Sequence, residues 1–250
     1  MNSFFIKAID ALTLIMDMKS GDVLWLAYGK KKQTVYDFID WIGIDWMKNV
    51  KAVACDMNSD FEEAFRKRCG WLDIVCDHFH LIKNFNDKVV SKVRKEEQRC
   101  LIEEGNTEAA KALKGSKYVL MTNTETSKQK AGIEEEYKKL LDENKLFFTM
   151  DLVEEQLNKA YKANTERGMK IHSSRIIRTC KATKNKHFMW FAKLLKNHMK
   201  GSISHARVHI SSGKVEGTNQ MIKTLRRKGY GYPDDEYFFL KIIDASRKFS

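Results

Sequence analysis

Glu216 stands in Gly213-Lys-Val-Glu-Gly-Thr-Asn-Gln-Met-Ile-Lys-Thr-Leu-Arg-Arg-Lys228, a carboxylate that opens a strongly basic helical pattern. Helical spacing places Glu216, Asn219, Gln220, Lys223 and Arg227 on one stripe, and Val215, Thr218, Ile222 and Leu225 on the opposite, more apolar one. One acid and several phosphate binders then share a face. A helix dipole favours an acid in the first turn whatever its job, so the segment alone does not decide its role. Two further acids close short apolar runs: Asp56 follows Val50 to Cys55, and Asp77 follows Leu72 to Cys76. Each falls at the carboxyl end of a candidate strand, where α/β sheets bind ligands. Hard oxygen donors beside a surface that receives phosphates suit a pair of divalent ions. Asp77 also opens Asp-His-Phe-His80, with two imidazoles inside one turn, a weak zinc pattern without cysteine partners. A strand-end aspartate taken singly is more often a cap or a turn former; the joint occurrence of three acids carries the expectation.

The elements that must position these residues alternate over the first eighty positions. Phe4 to Met18 reads as one strand, Lys19-Ser-Gly-Asp22 as a turn, and Val23 to Tyr28 as a second strand. Thr34 with Asp37, and Ser59 with Glu62, have the capping-box spacing for two short helices, which Gly43 and Gly70 should end. Strand, helix, strand, helix, strand predicts a mixed sheet with parallel members. Phe79 to Phe147 turns helical and charge-rich, Met121 to Lys130 reads as a loop, and Leu140 to Lys200 forms a further helical block. Pro233 follows a Gly229-Tyr-Gly231 turn. A sheet core over 1–82, a mainly helical insertion over 83–210 and the Glu216 helix region over 211–250 are expected to make one domain.

A length of 250 residues suffices for one sizeable core. Between Lys162 and Lys228 there are 17 Lys and Arg and only two acids, Glu166 and Glu216, which accounts for the whole surplus in a chain of net charge +12. Such a surplus favours a polyanion, nucleic acid first, because each neutralised phosphate releases a counterion. No apolar run approaches the roughly 20 residues needed to span a bilayer and no signal-peptide pattern opens the chain, so a cytoplasmic protein is expected. The five cysteines are scattered, without a CxxC pair, and read as reduced core thiols.

Cys55-Asp-Met-Asn58, then Ile74-Val-Cys-Asp-His-Phe-His-Leu-Ile-Lys-Asn-Phe-Asn86, then Gly213 to Gly231 resemble, in that order, the DDE transposases of bacterial insertion sequences, the ISL3 group in particular. The resemblance runs over most of the chain. It implies a ribonuclease-H-like fold with a large helical insertion, and two Mg²⁺ or Mn²⁺ ions held by two aspartates and a glutamate. It also implies cleavage and joining of DNA at transposon ends. By position Asp56 is similar to the second catalytic aspartate and Glu216 to the glutamate. Asp77 and His80 match an Asp-x-x-His motif implied to support the site, with Asn219 beside Glu216. Lys223, Arg226, Arg227 and Lys228 would hold the DNA backbone, a contact that fixes register without reading sequence. The implied partners are double-stranded DNA, as transposon ends and target, and further copies of the chain in an active homo-oligomer.

The departure lies at the front. The family's first catalytic aspartate sits on the first strand, typically in Ile-Asp-Glu, before a hairpin. Here Ala8-Ile-Asp-Ala11 runs straight into the strand that resembles the family's second. Either Asp10 is the first aspartate and the hairpin is shortened, or the first strand is missing. The zinc-binding and helix-turn-helix regions usual before the catalytic domain are absent, so a truncated or separately encoded catalytic domain is expected. On a regular strand Asp10 and Asp17 face opposite sides, and only one can serve the site. The reading is a transposase catalytic domain with Asp56, Glu216 and Asp10 as catalytic metal ligands. Its rivals are an inactive remnant that binds DNA or the full-length transposase, and a nuclease of the same fold. Tyr230 would either stack on a base or pack in its turn.

Overall fold

The computed structural model describes residues 3–9, 12–115, 144–163, 165–210 and 213–247. Its sheet is mixed, with five strands: β1 (Ser3–Ile9), β2 (Leu12–Asp17), β3 (Val23–Tyr28), β4 (Ala52–Cys55) and β5 (Asp73–Cys76). The order is β3-β2-β1-β4-β5. β2 lies antiparallel to both β1 and β3, while β1, β4 and β5 run parallel. The described helices are α1 (Lys32–Ile42), α2 (Ile44–Met47), α3 (Ser59–Arg68), α4 (His78–Phe85), α5 (Ser91–Glu103), α6 (Thr107–Gly115), α7 (Lys145–Lys162), α8 (Glu166–Ala182), α9 (Lys186–Asn197), α10 (Met199–Arg207), α11 (Gly213–Lys228) and α12 (Asp235–Arg247), with a π-helical turn over Asn86–Val90. The chain is therefore mixed α/β.

It divides into two compact units, Met1–Phe79 with Lys200–Ser250, and His80–Met199. In the first, alternation along the strands sends Phe4, Ile6, Ile15, Val53, Cys55 and Ile74 to one face, where Phe38 of α1 and Phe61 and Phe65 of α3 cover them. Phe5, Met16, Ala52, Ala54 and Val75 point the other way and meet Val208, Ile210 and Val215. Further along that face Leu12, Leu14 and Leu26 bury Ile222 of α11 and Phe238 and Ile242 of α12. Covering both faces explains why the strands read as continuous apolar runs and not as alternating ones. Each fully buried Phe contributes roughly 1.5–3 kcal/mol from the area removed from water.

Phe4 to Met18 is two strands, not one. β1 and β2 pair back on each other through Ile9 opposite Leu12. A single strand of that length would span about 50 Å at about 3.3 Å per residue, far beyond the four-residue partners β4 and β5. Asp10 lies outside the described residues, as does the Met121–Lys130 segment. The turn at Lys19 to Asp22 is present, closed by Gly21 N–H donating to Asp17 O and by Asp17 N–H donating to Asp22 O. Asp17 is a turn former, its Oδ1 accepting from Lys19 N–H at 2.8 Å. Neither expected capping box forms. α1 starts earlier, with Lys31 at its N-cap and no side-chain bond, and Thr34 is buried within it. Asn58, not Ser59, caps α3 by accepting from Asp60 N–H.

The second unit is helical in its described residues. Asn144, Thr165 and Asn185 cap α7, α8 and α9, each accepting from backbone N–H groups within the first turn of the helix. Phe85 packs its ring 4.9 Å from that of Phe191 and 6.4 Å from that of Phe188.

Candidate active site

β4 and β5 pair in parallel with Cys55 opposite Cys76, so the residue that follows each, Asp56 and Asp77, emerges beside the other at the carboxyl edge of the sheet. The strands themselves are buried, which fixes their register. Asp56 is half-buried and Asp77 only 2% exposed. Met57, at φ 50, bends the chain directly after Asp56. Asn58 then caps α3 and donates through Nδ2 to Lys30 O at 3.2 Å, so Asp56 is held in a tight strand-to-helix turn.

α11 reaches the same region from the opposite cover of the sheet. Val215 sits among Phe5, Ala52, Ala54 and Val75, over β1, β4 and β5, and Glu216, half-buried, is its neighbour in the chain. On the far flank Thr218 Oγ1 reaches Met16 Sδ at 3.8 Å, and Lys214 Nζ donates to Lys19 O at 2.7 Å. These contacts set the rotation of the helix. Asn219 belongs to the buried face with Val215 and Ile222, at 6% exposure, and not to the charged stripe that its spacing suggests. Sheet contact covers a wider arc of the helix than the aliphatic residues alone mark. Asn219 Oδ1 is buried and accepts no hydrogen bond among the described residues. Lys223, Arg226, Arg227 and Lys228 lie toward the basic end of the helix, the last three in its final turn. Tyr230 follows at φ 49 and is wholly exposed, so packing does not explain it.

Beside Asp77 the fold adds to His78 a histidine that the sequence does not single out, His205, which is paired with His209. Burial pushes His78 down to about 4, His205 adds to that, and Asp77 opposes it. His205 is lowered by burial and by His209, again against Asp77. The His205 and His209 rings meet edge-on at 5.8 Å. Their i, i+4 spacing is the available signal. His80 lies on α4 in the second unit, half-buried, its carbonyl accepting from Asn84 Nδ2 at 2.9 Å.

The thiols nearby are held neutral. Burial raises Cys55 and Cys76 well above the usual thiol range, and Glu62 pushes each further. Glu62, 4% exposed on α3, accepts from Arg66 Nη2 at 3.1 Å. Its only sequence cue is the capping-box spacing, which points to a different role. α10 presses on the end of β5 at Gly201, where a Cβ would stand 2.4 Å from Cys76 Sγ and 3.2 Å from its backbone nitrogen. Arg207 Nη2, further along α10, donates to Asp73 Oδ1 at 2.6 Å.

A family model described as a transposase, that of the ISL3 group of DDE transposases, matches residues 3–242. The chain belongs to that family. It is 25% identical over 233 residues to the transposase for insertion sequence element IS1001 of Bordetella parapertussis, covering 93% of this chain and 56% of that protein. It is 24% identical over 242 residues to the transposase for insertion sequence element IS1557 of Mycobacterium tuberculosis, covering 88% of this chain and 53% of that protein. The chain thus spans about half the length of the curated relatives it matches.

Proposed function

We propose that this chain is a DDE transposase catalytic domain that hydrolyses phosphodiesters at transposon ends and joins the freed strand to target DNA. The observation that carries the reading is that Asp56 and Asp77 close two adjacent parallel strands, while Val215, the neighbour of Glu216, rests over the same two strands. The five-stranded order, with three antiparallel and then two parallel partners, is compatible with a ribonuclease-H-like fold, into which the helical unit would be inserted between β5 and α11.

Asp56 and Glu216, with Asp10 from the first strand, would hold two Mg²⁺ or Mn²⁺ ions. The donor set fits such ions: carboxylate oxygens, and a buried Asn219 Oδ1 that accepts nothing else among the described residues, are hard ligands, whereas the neighbouring thiols stay protonated. Bound ions of this kind lower the barrier to attack at phosphorus and stabilise the leaving oxygen. Asp77 and His80 would support the site from the segment after β5. Lys223, Arg226, Arg227 and Lys228 would grip the DNA backbone, in a working complex of more than one copy. Among the described residues no helix is long and apolar enough to cross a membrane.

Supercoiled plasmid nicking tests the reading. The chain should nick in Mg²⁺ or Mn²⁺ and not in a chelator, and Asp56→Asn or Glu216→Gln should each reduce the rate by at least about a hundredfold, since each removes charge acting on the transition state. Unchanged rates in both variants would rule out these carboxylates.

A further inference from the structure

Helix α8 and the residues after it concentrate cations: Glu166 to Asn197 contains nine Lys and Arg and one acid. Most such runs are solvated faces. Two arginines here differ. Arg175 and Arg178 stand three residues apart on one helical face and border an open recess of about 410 Å³ between α7 and α8. No hydrogen bond or ion pair among the described residues engages either guanidinium. What sets them apart from the other cations of the run is the recess they share. The dipole of α8 does not account for them, since its only last-turn cation is Lys181.

The rest of the lining points the same way. Thr179 offers a hydroxyl with no bond among the described residues, and Gln156 uses Oε1 on His172 Nδ1 at 3.1 Å, which leaves its amide protons as donors. Leu152 and Ala182 form the apolar remainder, and among the described residues no carboxylate lines the recess. A surface that presents two guanidinium forks, a hydroxyl and an amide, without an acid among them, selects an anion with several acceptor oxygens.

We infer that the Arg175–Arg178 recess is a phosphodiester-binding site on the helical unit, taking the backbone of duplex DNA, separate from the cationic end of α11. This rests on the proposed action on DNA and extends it to a second grip. The spacing fits, because residues three apart on a helix have Cβ atoms about 5–6 Å apart, so two long side chains can clasp one phosphate or adjoining ones. Arginine suits the role, its planar fork pairing two oxygens at once. The contact adds affinity without reading sequence.

The test is anisotropy binding of the full chain to a random duplex of about 30 base pairs, titrated from about 50 to 200 mM salt, for the wild type, Arg175→Ala/Arg178→Ala, Arg175→Lys/Arg178→Lys and Lys223→Ala/Arg227→Ala. The alanine pair should cut the log–log salt slope by about 1.8 and weaken binding roughly 10- to 60-fold at about 100 mM. The lysine pair should keep most of the slope, and the α11 pair should lower it independently. Both guanidinium variants should keep the wild-type melting temperature, since the side chains border an open recess and carry no structural bond. An alanine pair that binds like the wild type overturns this inference while leaving the proposed chemistry intact. A wild type that binds anionic phosphatidylserine vesicles but no DNA overturns it too. Normal salt slopes without metal-dependent nicking would instead count against the catalytic reading alone.

Discussion

Cys55 and Cys76 stand opposite one another in the parallel β4–β5 pair, and each is followed by an aspartate. Sheet register, not sequence proximity, therefore makes Asp56 and Asp77 neighbours. β4 and the last three residues of β5 are buried, so a slip of one residue between the strands would place a polar side chain in the core and part the two acids.

Gly201→Ala should destabilise the first unit. The new methyl would overlap Cys76 Sγ at 2.4 Å in a fully buried position, and overpacking of this kind costs about 1–3 kcal/mol. Urea unfolding should show that loss, and Cys76→Ala in the same chain should restore part of it. A Gly201→Ala chain as stable as the wild type would mean that α10 does not press on β5.

His78 should remain uncharged well into mild acid. Its folded value of about 4 lies below the unfolded value near 6.5, so the unfolded chain binds more protons between them. The stability it contributes is complete above about pH 6.5 and is lost as pH falls toward about 4, on the order of 3 kcal/mol. An NMR titration of the ring should show no protonation at about pH 5.5. A midpoint near 6.5 would contradict the desolvation of the ring.

Glu154 in α7 has the opposite sign. Burial, and then Asp151, raise it to about 7 against an ordinary value of 4.5, so the folded chain holds a proton that the unfolded chain has released. Stability from this group is full below about pH 4.5 and falls as pH rises through about 7. Glu154→Gln should therefore unfold at higher urea than the wild type at about pH 8, by about 3 kcal/mol, and at similar urea at about pH 4. Because His78 and Glu154 titrate against each other over much of this range, the comparison must be variant against wild type at each pH.

Tyr230 caps the basic end of α11 without touching a core, so Tyr230→Ala should leave stability within about 0.5 kcal/mol of the wild type, read by thermal melting. Affinity for single-stranded DNA should drop by about 1–3 kcal/mol if the ring stacks on a base. Unchanged affinity would leave the ring without that role.

What could be read from the sequence follows from locality. The short apolar runs before Asp56 and Asp77, the glycine that ends α1, the Lys19 to Asp22 turn and the basic pattern of α11 are all local, and they appear where expected. Expectations fail where tertiary contact overrides local signals. Asn219 lies under the helix because the sheet covers it, Thr34 lies inside α1 because that helix begins before it, and the Phe4 to Met18 run folds back because its partners are short. The His205–His209 pair gains meaning only from its approach to Asp77, which is far from it in the chain.

The most direct measurement of the proposed metal site is a crystal of this chain grown with Mn²⁺ and read by anomalous scattering. A manganese peak is expected within about 2.0–2.6 Å of carboxylate oxygens from both Asp56 and Glu216, the span of hard-ion coordination, with those two carboxylates about 4–8 Å apart. Asp56 and Glu216 separated by more than about 12 Å, with manganese bound to neither, would contradict the assignment.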